Sequence, residues 1–179
     1  MDEFLKRIAD LQSDDATIRK QAGYWIHKSY SKDTARLPYL IPMMDHDDPM
    51  VRDYVASALG WIGSSDAVPV LVRALKDSHT GVRTSAVEAL RYIADPRAVP
   101  ALLELITIAD DELRMEVCTT LGCIEDARAV PALIALVQNE TVVDVLLEAI
   151  AALGDCGGDE VLPHLLPLID SPDFRIRAM

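Results

Sequence analysis

Three cysteines, four histidines and one dense acidic turn are the residues of this 179-residue chain whose types could do chemistry. A reactive thiol needs a base or a cation beside it to lower its pKa. Cys118, Cys123 and Cys156 have neither beside them in sequence, are odd in number and lack CxxC spacing. They read as reduced thiols of a cytoplasmic protein, with no zinc site and no catalytic nucleophile. Asp45-His46-Asp47-Asp48 brings together metal ligands of mixed hardness. The preferred reading is a solvated turn in which Asp48 caps the next helix. His27, His79 and His164 are too scattered to share a metal or a proton. No catalytic, cofactor-binding or metal-ligating residue is assigned, and the chain is expected not to be an enzyme.

Arginine is the most regularly placed polar residue. A branched aliphatic followed by Arg recurs as Ile18-Arg19, Val51-Arg52, Val82-Arg83, Leu113-Arg114 and Ile176-Arg177. Such a row could contact anions, but the guanidinium's fixed fork of donors suits the carboxylates and carbonyls of a neighbouring turn better. Where Val145-Leu146 should continue the row the Arg is missing, which predicts a weaker joint there.

What positions the arginines is a repeat. Pro38, Pro69, Pro100, Pro131 and Pro163 are spaced 31, 31, 31 and 32 residues apart, and DPRAVPALLELI at 95–106 returns as DARAVPALIALV at 126–137. A third ladder runs Leu59-Gly60, Leu90-Arg91, Leu121-Gly122 and Leu153-Gly154. Each unit contains two helical patterns. Val51, Val55, Ala58, Leu59 and Ile62 fall on one helical face. After a short turn a second helix opens on the AVP proline, which fits a first turn because its missing N–H has no partner there. No segment alternates with the period of a strand, and aromatics make up only 5%. The fold expected is all-α, an α-solenoid superhelix of stacked helix hairpins, because one hairpin of this length cannot bury both apolar faces.

The expected organisation is a single domain over residues 1–179. Residues 1–12 form a capping half-repeat, full repeats run over about 14–46, 47–77, 78–108, 109–139 and 140–170, and 171–179 start another. Half of the residues are hydrophobic, too many for disorder. The longest apolar runs fall short of the roughly 18 residues of a membrane span, so no membrane partner is expected. A net charge of −12 argues against nucleic acid, which needs clustered Lys and Arg. Seven of the 17 basic residues precede Leu37, whereas Arg128 and Arg175 enclose none, against eight carboxylates.

The register D-x-x-V-R-x-x-A-x-x-A-L-G-x-I-G followed by D-x-x-A-V-P-x-L resembles the HEAT-like repeats of the phycobilin lyase type, over about Asp14 to Arg177. That family includes bilin lyase subunits, phycobilisome-degradation adaptors, archaeal and bacterial proteins of unknown role, and deoxyhypusine hydroxylase. The resemblance implies that the Val-Arg helices line a concave surface and the AVP helices a convex one. The paired His-Glu motifs by which deoxyhypusine hydroxylase holds iron have no counterpart here, since the chain contains no His-Glu dipeptide.

With core residues on one face of each Val-Arg helix, another set must point away. Tyr24 and Lys28; Asp53, Tyr54 and Trp61; Glu88 and Tyr92; Glu116; and Glu148 and Asp155 belong to it. Trp61 and Tyr92 hold the same column one repeat apart, so they pack together or anchor a partner; the second reading is preferred. Tyr and Trp supply large contact area at low entropic cost. The function expected is a non-catalytic interaction scaffold or adaptor that takes a protein or peptide, basic where it meets the carboxylates, in the groove. Alternatives are a bilin lyase or isomerase-type subunit holding a linear tetrapyrrole, and an immunity-type inhibitor of a basic partner. SPDFRIRAM opens one more Val-Arg helix, which leaves Leu162, Leu165, Leu166 and Ile169 poorly covered. The array continues further, the preferred reading, or this edge docks onto a partner or a second copy, or it stays frayed.

Overall fold

A computed structural model describes residues 2–29 and 32–179, with no strand among them. The chain is all-α, of the α-solenoid class, and divides into two compact units, Met1–Ile93 and Ala94–Met179. The first contains α1 (Asp2–Leu11), α2 (Ala16–Lys28), α3 (Leu37–Leu40), α4 (Pro49–Ile62), α5 (Val68–Ala74) and α6 (Thr80–Ile93). The second contains α7 (Val99–Leu105), α8 (Asp111–Ile124), α9 (Val130–Asn139), α10 (Val143–Cys156), α11 (Leu162–Leu165) and α12 (Phe174–Arg177).

Local signals set the boundaries of these helices. Asp15, Asp48, Asp110 and Asp173 each sit in extended backbone and accept an amide of the first helical turn, satisfying a donor that has no intrahelical acceptor. Asp33, Ser64, Asp95 and Asp126 do the same for the short 3-10 turns that lead into the second helices. In the duplicated stretch the turn closes on itself: Asp95 accepts from the backbone and Nε of Arg97, both at 2.9 Å, and Asp126 does so from Arg128 at the same distances.

Proline sets helix length as well as helix start. α5, α7 and α9 each carry one proline in the first turn and run for 7, 7 and 10 residues. In α3 and α11 a second proline, Pro42 or Pro167, follows four residues after the first and cannot donate the next i to i−4 bond. Both helices stop after 4 residues and continue as 3-10 turns, Ile41–Asp45 and Leu166–Asp170.

The core lies where the repeat places it. In α4, α8 and α10 all five core-face positions are buried, among them Val51, Val55, Leu59, Val117, Leu121, Val145, Ala149 and Leu153 at 0% exposure. Each fully buried Leu or Val contributes about 1.5–3 kcal/mol through removal from water. Phe4, Ile8 and Leu11 bury one face of α1 against α2, as a half-repeat should. Ile18 departs from the expected pattern at 40% exposure. It stands in the first turn of α2, the helix that packs on α1 and α4, whereas Val51 and Val82 at the matching positions are fully buried.

Within the first unit α2, α4 and α6 pack in succession, and within the second α8 packs on α10. Gly60 allows the α4–α6 approach, since a Cβ there would stand 2.7 Å from Cα of Ala89.

Candidate functional site

The arginine row is structural. Arg19 Nε reaches Asp48 at 2.8 Å while its Nη1 donates to the carbonyls of Ser13 and Asp14 at 2.8 and 3.0 Å. Arg52 grips Asp77 through Nε at 2.7 Å and Nη2 at 2.8 Å, and spans the carbonyls of His46 and Asp47. Arg83 repeats the carbonyl bridge to Asp77 and Ser78, and Arg177 repeats it to Ser171 and Pro172. Arg114 joins Asp111 at 2.6 Å and Glu140 at 3.0 Å. Arg19, Arg52, Arg83 and Arg177 therefore tie a turn to the helix that follows it, and Arg19, Arg52 and Arg114 reach the turn of the next repeat.

These pairs shift acidities. The Arg52 guanidinium holds the Asp77 carboxyl below its usual range against the opposing effect of burial. For Asp48 burial opposes ionisation, and hydrogen bonds from Arg19 and the Met50 amide outweigh it, so its pKa too is lowered. Asp48 caps α4 and its own amide donates to His46 Nδ1 at 3.0 Å, while Asp45 meets Arg73 at 3.2 Å. The acidic turn is thus engaged in capping and ion pairs.

Glu140 was not singled out by the sequence pattern. It accepts from the amides of Thr141 and Val142 at 2.8 Å each at the entry to α10, and its other oxygen takes Arg114. The legible signal was its place in the turn where other repeats write Asp.

The cysteines follow burial. Cys118 is fully buried, and burial, with the charge of Glu148 behind it, pushes its pKa up to about 12. Burial raises that of Cys156 as well, and its Sγ donates to the carbonyl of Leu121 at 3.3 Å. Cys123 is exposed.

The ten residues expected to face outward are accessible at their surfaces, and none is buried. Seven of them, Tyr24, Lys28, Asp53, Tyr54, Trp61, Glu88 and Tyr92, lie in the first unit. Their rings are not four separate anchors. Tyr54 lies directly on Gly23 of α2, where any Cβ would collide with its ring, and it meets the His27 ring at 6.2 Å. Trp61 and Tyr92 stack with centroids 4.7 Å apart and planes 26° from parallel, joining α4 to α6. Packing is therefore part of their role, although Tyr92 stays 46% exposed and Tyr24 56%. Asp53 accepts from the Ser85 hydroxyl, and the Tyr92 hydroxyl donates to Glu88 at 3.2 Å. Beside the stack is a hollow of about 20 Å³ lined by His27, Ser57, Trp61, Glu88, Ala89 and Tyr92. It has room for about one water.

Glu116, Glu148 and Asp155 lie on α8 and α10 of the second unit. The Thr119 hydroxyl donates to Glu148 at 2.9 Å, and the Asp155 carboxylate lies against Gly122. At the other edge of this unit Leu162, Leu166 and Ile169 are 50%, 58% and 62% exposed, beside a hollow of about 170 Å³ that also touches Ile150 and Ile176. No helix among the described residues is long and apolar enough to cross a membrane.

Among solved structures, the chain is similar to the complex of CpcE and CpcF of phycocyanin lyase from Nostoc sp. PCC7120. The identity is 26% and the TM-score 0.74, over 96% of this chain and 71% of that one. A designed armadillo repeat protein in complex with the peptide (KR)4 matches at 18% identity and a TM-score of 0.74, covering 98% and 95% of the two chains. An engineered protein matches at 22% identity and a TM-score of 0.71, covering 99% and 93%. The chain matches no curated protein sequence. HEAT repeats match residues 2–91, 73–146 and 108–179, which together take in every helix described above, and the chain belongs to the HEAT-repeat family.

Proposed function

We propose that this protein is a non-catalytic interaction module that binds protein segments on the outward faces of its Val-Arg helices, in each unit by itself. The observation that carries the reading is that all ten outward residues remain accessible while the opposite faces of α4, α8 and α10 are buried. Each unit is taken by itself: exposed edges of the tyrosines supply contact area on the first, and Glu116, Glu148 and Asp155 select basic groups on the second. The fold relatives support this use: one designed armadillo chain was solved with the peptide (KR)4, and CpcE with CpcF. The apolar edge at Leu162, Leu166 and Ile169 is proposed as a second surface of association with another protein chain. Three free thiols fit a cytoplasmic setting.

Affinity capture from the source cell, followed by mass spectrometry, supplies the partner. Glu116→Gln with Glu148→Gln is then expected to weaken binding of that partner by tenfold or more. Unchanged binding by a folded double variant would remove the open-face assignment.

A second reading, a bilin lyase-type subunit acting in a heteromer, draws on the 26% identity with the phycocyanin lyase complex. Visible absorbance after mixing with a bilin would support it. Against it stands the size of the hollow at the aromatic patch, about 20 Å³, since small-molecule pockets measure roughly 300–1,000 Å³.

A further inference from the structure

Two exposed rings on the open face of the first unit already carry cations from their own helices. Lys28 Nζ lies 5.9 Å from the Tyr24 ring centroid, and the Arg91 guanidinium carbon lies 5.6 Å from that of Tyr92. Arg91 Nη2 also stands 3.8 Å from Glu88 Oε1, the oxygen that accepts the Tyr92 hydroxyl. A ring face is negative at its centre, and with a carboxylate at its rim it attracts a flat cation on both counts. Trp61, stacked on Tyr92 at 4.7 Å, fixes the ring in place.

Arg91 is not demanded by the repeat. The corresponding positions are His27, Gly60, Gly122 and Gly154. Three of the five repeats therefore have glycine in this column, and the one that carries Trp61's stacking partner Tyr92 places a guanidinium there, beside an aromatic–carboxylate pair. Its 3.8 Å approach to Glu88 is longer than a hydrogen bond, whereas a guanidinium approaching head-on can meet a carboxylate bidentately.

We propose, on the basis of the open-face reading, that Tyr92 and Glu88 form the seat for an arginine side chain of the partner segment. In the free protein Arg91 occupies that seat, and the partner's arginine displaces it. The seat selects arginine over lysine, because only the planar guanidinium both stacks on the ring and matches the carboxylate fork. Removing Arg91 therefore strengthens binding, the reverse of what loss of a structural ion pair would do.

The test uses two synthetic peptides, acetyl-(Arg-Ser)4-amide and acetyl-(Lys-Ser)4-amide, titrated calorimetrically into the full chain, with circular dichroism to confirm folding. The arginine peptide is expected to bind about fivefold more tightly than the lysine peptide. Arg91→Ala and Arg91→Gln should each tighten arginine-peptide binding about fivefold, and Glu88→Gln should weaken it about tenfold. Equal binding of the two peptides, or Arg91 variants that bind no better than the parent, overturns the proposal. Absence of any peptide binding does so as well. None of these results touches the open-face reading, which is decided separately by the Glu116 and Glu148 variants against the captured partner.

Discussion

Arg52 and Asp77 meet through two parallel hydrogen bonds of 2.7 and 2.8 Å, at side-chain exposures of 14% and 13%. The pair joins the first turn of α4 to the turn that precedes α6, and the same arginine bridges the carbonyls of His46 and Asp47. One side chain thereby holds two repeats in register.

Asp77→Asn is expected to lower stability by about 2 kcal/mol at pH 7, the range for a charge-assisted hydrogen bond left without its partner. The sign of its pH dependence follows from the lowered pKa of Asp77, and of Asp48 beside Arg19. A depressed folded-state pKa contributes stability that is complete above the unfolded value of about 3.9 and is lost as pH falls through the folded value. Denaturant melts at pH 7, 5 and 3 should show the gap between parent and variant closing only below about pH 4. A gap that is as wide at pH 3 as at pH 7 would refute the pairing.

Two glycines of the same ladder should respond oppositely to alanine. A Cβ at Gly60 would meet the Ala89 backbone at 2.7 Å, so Gly60→Ala should cost about 1–3 kcal/mol by forcing α4 from α6. Nothing lies within 4 Å of a Cβ at Gly154 inside α10, so Gly154→Ala should stabilise by about 1 kcal/mol through helix propensity. Thermal melts of the two variants check both signs.

α4 ends on Gly63 at φ 71°, and α8 ends on Glu125 at φ 55° in the matching position. Left-handed backbone costs an L-residue about 1 kcal/mol and glycine almost nothing. Glu125 is exposed, so Glu125→Gly gives up little packing and should raise stability by about 0.5–1 kcal/mol. A fall in melting temperature would show that the Glu125 side chain has a use in the folded state.

Thiol labelling tests the burial order of the cysteines. Cys118 is buried with a pKa pushed up to about 12, Cys156 is buried and also raised, and Cys123 is exposed. The native protein at pH 8 should release one equivalent with a disulfide reagent and three after unfolding. Cys123→Ser should abolish the native-state reaction.

The helix boundaries were legible because they depend on near neighbours. Asp48 caps α4, the AVP prolines open α5, α7 and α9, and the five-position core face of α4, α8 and α10 is buried as its periodicity requires. Even the shortness of α3 and α11 is written in the sequence, as the prolines at 38 and 42 and at 163 and 167, although the repeat taken by itself implies a full second helix there. Ile18 breaks the pattern at 40% exposure, because burial depends on the neighbouring helices and not on position within its own helix.

The outward residues divide along the same line. Sequence periodicity alone placed Tyr54, Trp61, Glu88 and Tyr92 off the core face, and none of them is fully buried. Only the tertiary structure decided that Trp61 and Tyr92 stack, that Tyr54 rests on Gly23, that Arg91 lies by Tyr92 and Glu88, and that Glu140 joins Arg114. Most of those contacts run between residues about 26 to 31 positions apart, and the Arg91 contact depends on which rotamer the guanidinium takes. Their geometry is set by how closely one helix approaches the next, and that is determined by packing across repeats and not by the pattern within any one of them.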